Sequence, residues 1–313
     1  PRRSRRRNMR ITNSALYRFG VRNAQEQRER LAQTQEQAST GRIINRPSDD
    51  PVTVRATTLL KDGLSQVAQF RRNINASRLR VSTTEAALNG ANDILVRARE
   101  LGLASSNDTQ DPSGRLITAQ EIEQLHGALL REANARDAGG GRVFGGFASD
   151  ADPFTVSGSF VSGSPPPSVS FVGDSNEIHV DIDEGVELRV TLQGDRVFTG
   201  AGGGEDLFVV LQDLWTALDS NDRGAIADAT ARVETARTQL SSEFTAVGAA
   251  DAQAELWEQR HLNRDALMQE QLSKLENADS IEVFSDLVQQ EGALQGSIEV
   301  TSRILQTNLL SFL

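Results

Sequence analysis

Leu60, Val67, Ile74, Val81, Leu88 and Leu95 recur at every seventh position, and Gly63, Phe70, Ser77, Thr84, Ala91 and Ala98 follow them three places on. Six consecutive repeats of this kind predict one long helix, from about Pro51 to Leu103, with a narrow apolar seam. The second seam position is mostly small, so a partner helix can come close. At 1.5 Å per residue the helix would extend roughly 80 Å. Ile122, Leu125, Leu129 and Ala133 mark a shorter amphipathic helix, and the two read as an antiparallel pair joined by a loop at 107–114. Further on, Leu207, Val210, Leu211, Leu214 and Leu218 share one helical face. A second long helix follows from about Arg223 to Ala278, along which Leu240, Phe244, Val247, Ala254, His261, Met268, Leu272 and Leu275 alternate threes and fours. No proline falls between Val52 and Asp111 or after Pro167, so nothing in these stretches breaks a helix.

The middle has another period. Ile178, Val180 and Ile182 alternate with polar residues, as do Val186, Leu188, Val190 and Leu192 after the turn Asp183-Glu184-Gly185. This predicts a β-hairpin with one buried face. Short strands are also expected at 154–156, 160–162 and 169–172. Residues 139–204 hold fourteen of the 25 glycines and six of the twelve phenylalanines, which sets a small mostly-β insert apart from its helical flanks.

The two ends are too poor to fold alone. Along 10–39 the heptad through Val21, Ala24, Arg28, Leu31, Gln35 and Ala38 has few large apolar groups. Along 281–313 the stripe is richer, through Phe284, Leu287, Val288, Leu294, Ile298, Ile304, Leu305, Leu309 and Phe312. Isolated helices with such seams are marginal in water, and an apolar chain end calls for a docking partner, either the other terminus or another subunit.

Composition narrows the function. With 43 acidic and 33 basic side chains the formal charge is -10, which disfavours a nucleic-acid binder. Arg2, Arg3, Arg5, Arg6 and Arg7 precede Met9, and residues 1–8 read as a non-native extension; without those five arginines the charge moves from -10 to -15. Zero cysteine removes disulfides, thiolate nucleophiles and cysteine metal sites. No run is apolar for long enough to span a membrane, and no apolar stretch follows the basic start as a cleavable secretory signal needs.

Catalytic groups do not converge. His126, His179 and His261 have no paired-ligand spacing. Asp181-Ile182-Asp183-Glu184-Gly185 lacks the further ligands of a calcium loop and reads as a hairpin turn. Gly139–Gly141 and Gly202–Gly204 lack the residues of a phosphate-binding loop and read as connectors. No metal, cofactor or enzymatic activity is expected.

One loop says more. In Ser39-Thr40-Gly41-Arg42-Ile43-Ile44-Asn45-Arg46-Pro47-Ser48-Asp49-Asp50-Pro51, Gly41 suits the left-handed position that ends a helix. Asp50 can cap the next one and Pro51 can open it. The same residues, after a helix beginning Met9-Arg10-Ile11, resemble the signature of the flagellin superfamily. Two more segments match its hook-associated branch: Gly141-Arg142-Val143-Phe144-Gly145-Gly146-Phe147 followed by Pro153-Phe154, and the ending Asn308-Leu309-Leu310-Ser311-Phe312-Leu313. The similarity covers about 9–155 and 205–313, while the insert matches in position alone.

The resemblance implies a mainly α chain: a long antiparallel helical bundle or coiled coil with a small mostly-β outer domain inserted. Residues 9–45 and 281–313 would pair as an inner core. Residues 46–141 and 205–280 would form a rod, and 142–204 would face solvent. It implies a structural adaptor joining flagellar hook to filament by subunit packing. Partners would be other copies in a junction ring, another hook-associated protein on the hook or filament side, and a cytoplasmic export chaperone. Neither nucleic acid nor a membrane is expected as a partner. The chain would leave through the flagellar type III pathway without cleavage of a signal and act outside the cell. The expected subunit interface comprises Ile11, Leu16, Phe19, Val21, Leu31, Leu294, Ile298, Ile304, Leu305, Leu309 and Phe312. Gly41, Asn45, Pro47, Asp49, Asp50 and Pro51 would shape the inter-domain connector. Two alternatives are a flagellin that forms the filament itself and a helical stalk bearing a carbohydrate-binding or adhesive β module.

Overall fold

A computed structural model describes residues 13–107 and 110–310. The chain divides into two compact units, one made of the chain up to Ser65 and from Asp265 on, the other of Gln66–Arg264. Helices α2 (Pro51–Ser105) and α6 (Arg223–Glu276) contribute to both.

In the unit 66–264 the heptad seam of α2 is filled. Val67, Ile74, Val81, Leu88 and Leu95 are buried, as are Ser77, Thr84, Ala91 and Ala98 three places after them. The partner is α6, running antiparallel. Phe70 stacks on His261 with ring centroids 5.6 Å apart, Arg78 reaches Asp251 at 3.1 Å and Glu258 at 2.8 Å, and Arg99 reaches Glu234 at 2.9 Å. The small seam positions permit this approach, and at Gly102 an added Cβ would run into the Thr230 side chain. Helix α3 (Pro112–Ala133) returns along α2, bridged by Arg97 and Glu121 at 2.7 Å. Asp111 caps α3 from the Gly114 N–H, 2.9 Å, ahead of a proline in its first turn. Helix α5 (Leu207–Asp219) packs on α3 and buries its whole expected face, Leu207, Val210, Leu211, Leu214 and Leu218. Buried Arg115 ties the end of α2 to the turn after α5 through Ser105 O, Asn107 O and Asn221 Oδ1.

The insert shares this core. Strands β1 (Phe154–Ser157) and β2 (Ser168–Phe171) pair antiparallel with Phe154 opposite Phe171, and β3 (His179–Asp183) pairs with β4 (Val186–Arg189) across a turn whose Gly185 has φ +71°. The hairpin β3–β4 lies on the helical pair, Ile182, Leu188 and Val190 packing with Ile74 of α2 and Ala254 of α6. Below β1, Phe144, Phe154, Phe198 and Phe208 form a cluster with neighbouring centroids 5.0–6.3 Å apart. The segment 141–147 is therefore a plug. Phe144 enters the cluster, while Gly146 turns at φ +61° where a Cβ would collide with the Asp174 carbonyl oxygen.

Two expectations change. Residues 160–162 form no strand: Phe160 lies in a loop flanked by Gly158 (φ +116°) and Gly163 (φ +80°), and its ring turns down onto His126 instead of alternating with neighbours. Between β4 and α5 the chain makes a short helix α4 (Gly194–Phe198), which delivers Val197 and Phe198 to the core.

In the other unit α1 (Asn13–Thr40) pairs with α7 (Ser280–Leu310). A Cβ at Gly20 would stand 2.7 Å from Thr301 Oγ1, and Thr34 Oγ1 donates to Gln290 Oε1 at 2.9 Å. The two helices are thus antiparallel. In the same unit the start of α2 meets the end of α6, with a Cβ at Gly63 only 3.1 Å from Met268 Cε and an ion pair between Lys61 and Glu276.

Candidate assembly interface

The α1–α7 pair uses one stripe from each helix. On α1 the inward positions are Gly20, Val21, Ala24, Gln27, Leu31, Thr34 and Ala38, and of these Thr34 alone is fully buried. On α7 they are Val283, Leu287, Gln290, Leu294, Ser297 and Thr301, all half-buried. A stripe so rich in Gly, Ala, Thr and Gln brings two backbones together and shields little apolar surface.

Other large apolar groups lie outside this stripe. Positions 284, 288, 291, 295 and 298 lie on one side of α7 at helical spacing, and three of them are Phe284 (56% exposed), Val288 (68%) and Ile298 (55%). Ile281 begins the same side and is also exposed. Where this side meets α1, a groove of about 580 Å3 opens between Val21, Ala24 and Arg28 on one helix and Leu294, Ile298 and Ser302 on the other. A second groove of about 530 Å3 runs between α2 and α6 in this unit, lined by Ala56, Leu59, Leu60, Gln271, Lys274 and Leu275. Burial of apolar surface contributes about 25 cal/mol per Å2. The unit thus presents apolar surface that none of the described residues covers.

The structure separates the expected interface residues. Val21, Leu31 and Leu294 are spent largely within the α1–α7 pair, whereas Phe19 and Ile298 are exposed. Leu16, Ile304, Leu305 and Leu309 lie on the two helices, and Ile11 and Phe312 lie outside the described residues. Ile281 is missing from the expected set, although its spacing of three and seven to Phe284 and Val288 was visible in the sequence.

The connector between α1 and α2 is a network of short-range bonds. Gly41 stands at φ +66° and its N–H reaches Gln37 O at 2.8 Å. The Thr40 hydroxyl donates to Asn45 Oδ1 at 2.8 Å. Arg46 N–H donates to Asp49 Oδ2 at 2.9 Å, and Asp49 N–H returns to Arg46 O at 3.0 Å, closing the turn around Pro47. Asp50 Oδ1 accepts from the N–H of Val52 and Thr53 at 3.0 and 3.1 Å, and Pro51 opens α2. The Thr53 hydroxyl, 2.6 Å from Asp50 Oδ2, together with the Thr53 and Val52 N–H groups, holds the Asp50 carboxyl below its ordinary range.

Sequence patterning gave no sign of where this connector docks. Ile43 N–H donates to Glu276 O at 2.8 Å and Ala278 N–H donates to Gly41 O at 2.9 Å, a short antiparallel bridge of Arg42 with Asn277. The break between α1 and α2 is therefore bonded to the break between α6 and α7, where Asp279 accepts from Ile281 N–H at 2.9 Å. Backbone bonds of this kind leave no side-chain pattern.

The histidines have structural surroundings. His261 is buried between Phe70 and Trp257 and its Nε2–H donates to Ile182 O at 2.7 Å. His179 lies on the exposed face of β3 near Glu177 and Glu187. His126 is fully buried, and burial lowers its pKa to about 4. Among the described residues no cluster of three His, Asp or Glu is placed to hold a metal ion, and no helix is long and apolar enough to cross a membrane.

Comparison with known proteins gives this architecture a context. Residues 11–149 match the bacterial flagellin N-terminal helical region. Over 92% of this chain and 95% of theirs, it is 24% identical to flagellar hook-associated protein 3 of Escherichia coli K12 and 26% identical to that of Salmonella typhimurium LT2. Several flagellins and a filament core protein match over 33–41% of the chain. The crystal structure of the flagellar junction protein FlgL from Legionella pneumophila superposes with a TM-score of 0.57 at 16% identity, covering 70% of this chain and all of that one. The long paired helices, the connector and these matches point to one class, the flagellins and hook-associated proteins of the bacterial flagellum, to which this chain is similar. Within it the chain is a relative of flagellar hook-associated protein 3, the kinship that extends across both helical flanks and the insert.

Proposed function

We propose that the chain is a structural adaptor at the junction of flagellar hook and filament, acting by helical packing between subunits and not by catalysis. Kinship with hook-associated protein 3 over 92% of the chain, against 41% or less for the flagellins, favours the junction over the filament. The packing mechanism rests on one observation: the apolar side of the α1–α7 pair, with Phe284, Val288 and Ile298, is left exposed by the described residues. Covering it in an assembly offsets the entropy of ordering two thin-seamed helices.

In this reading residues 9–45 and 281–313 form the inner layer, 46–141 with 205–280 the rod, and 142–204 the outward insert. Gly41, Asn45, Pro47, Asp49, Asp50 and Pro51 shape the connector between inner layer and rod. Ile11, Leu16, Phe19, Ile304, Leu305, Leu309 and Phe312 extend the contact between copies in a ring, and another hook-associated protein caps it on one side. Before assembly the apolar C-terminal helix is held by a cytoplasmic chaperone, and the chain leaves through the flagellar export channel with its signal uncleaved.

Deletion of the gene tests the proposal. Hooks should remain on the cells while filament subunits are lost to the medium, and a copy carrying Phe284→Asp and Val288→Asp should fail to restore filaments. Full-length filaments retained on the deletion strain would exclude a junction role.

A further inference from the structure

His126 is one of several buried polar side chains of the unit 66–264 with an unpartnered atom, Ser105 and Trp215 among them, and it is a titratable one. Its side chain is fully buried on α3, and neither ring nitrogen has a hydrogen-bond partner among the described residues. Two phenylalanines enclose it: Phe208 of α5 at 5.4 Å, edge-on, and Phe160 of the 158–164 loop at 5.8 Å, tilted. Phe160 also lies over Gly127, where an added Cβ would stand 3.7 Å from the ring, an ordinary van der Waals contact. Beyond that contact the loop has one bond to the helix, from Gly163 N–H to Glu123 Oε2 at 3.3 Å. Gly158 and Gly163, both in the left-handed region, bracket Phe160. The loop is therefore a lid on two glycine pivots, closed by one aromatic ring and one hydrogen bond to α3.

We propose that this loop is an acid-operated lid, closed while His126 is neutral and opened when the imidazole takes a proton. The ionisable groups around the site do not prepare it for a charge. On α3, Glu123 is engaged with the lid backbone. At the start of α5, Asp206 Oδ1 accepts from the N–H groups of Phe208 and Val209. The lid presents Phe160 and its own backbone. Burial by itself depresses His126 to about 4 from an ordinary 6.5, with no opposing carboxylate, an affinity for protons about 300-fold lower in the closed state. An imidazolium here has no acceptor for either N–H among the described residues, and Phe160, which lies against it, is itself partly exposed to water.

The sign follows from linkage. The open state binds a proton near 6.5 and the closed state near 4, so falling pH favours opening throughout that window and adds nothing below it. At pH 5 the open-to-closed ratio should be roughly 30-fold higher than at pH 7.5. Opening bares Phe160 and the apolar cleft between α3 and α5 while the helices stay folded.

The full-length chain has three histidines, so its imidazole resonances can be followed individually through a pH titration, with hydrogen exchange of the 158–164 amides measured in parallel. The expected result is a His126 midpoint far below 6.5, with lid exchange accelerating as pH falls from 6.5 to 4. Phe160→Ala should raise the midpoint towards 6.5 and leave the lid open at neutral pH; Phe160→Leu, which keeps apolar cover, should raise it less. His126→Phe should abolish the acid dependence of lid exchange. A wild-type midpoint near 6.5, or lid exchange that does not change across the window, would overturn the proposal. The junction role is read separately by filament retention, and either can fail without the other.

Discussion

The two units use the same heptad grammar and finish it differently. In the unit 66–264 the α2 seam is closed on every side, by α6, by α3 and α5, and by a phenylalanine cluster brought in by the insert. Phe144, Phe154, Leu88, Leu95 and Leu211 are wholly buried. In the other unit the α1–α7 seam mixes Val, Leu, small and polar residues that are mostly half-buried, and Phe284, Val288 and Ile298 of α7 stay exposed. The first is a core with its own partners. The second leaves large apolar side chains exposed, which the proposed reading has neighbouring subunits cover. An adaptor needs both: a body that survives as a monomer and an end that orders when neighbours arrive.

Substitutions in the filled unit should have the largest effects. Phe144→Ala or Phe154→Ala should cost about 3–5 kcal/mol in chemical denaturation, since each opens a cavity in the aromatic cluster. Leu88→Ala should cost about 2–5 kcal/mol in the same measurement. If either fell below about 1 kcal/mol, the cluster would not be the keystone of that unit. Phe284→Ser and Val288→Ser should shift the stability of the isolated chain by no more than about 0.5 kcal/mol, as for exposed positions generally, yet abolish incorporation into flagella. A large loss of monomer stability would show that α7 is already packed. The smallest effect is expected at the connector. Because the Asp50 carboxyl is held below its ordinary value of 3.8, its cap contributes above that pH and is lost as pH falls through the lowered value. Asp50→Ala should speed amide exchange in the first turn of α2 at neutral pH without changing the melting of the other unit.

What the sequence revealed follows the same division. The heptad from Leu60 to Leu95 and the face of α5 could be read because one-sided burial leaves a period, and α2 begins and ends within two residues of its expected limits. Asp50 and Pro51 were legible because capping chemistry is local. The plug at 141–147 could be quoted as a motif but not explained, since Phe144 meets Phe198 some fifty residues later and Gly146 answers to the backbone of Asp174. The expected strand at 160–162 failed because a short apolar run carries no information about His126, the group that claims Phe160. The bond between the α1–α2 and α6–α7 breaks was invisible because it joins backbone to backbone. At the candidate interface, the sequence identified α7 as apolar but did not separate Leu294, which faces α1, from Phe284 and Val288, which face outward.

The central claim is that one unit is complete within the chain and the other is completed by assembly. Hydrogen exchange of the isolated full-length chain, compared with the same chain in purified flagella, tests it directly. In the isolated chain the amides of 74–98 and 207–240 should be the slowest to exchange, and those of 20–38 and 283–301 faster by orders of magnitude. In flagella the second group should slow towards the first. Terminal helices as protected in the isolated chain as residues 74–98, and unchanged on assembly, would contradict the account.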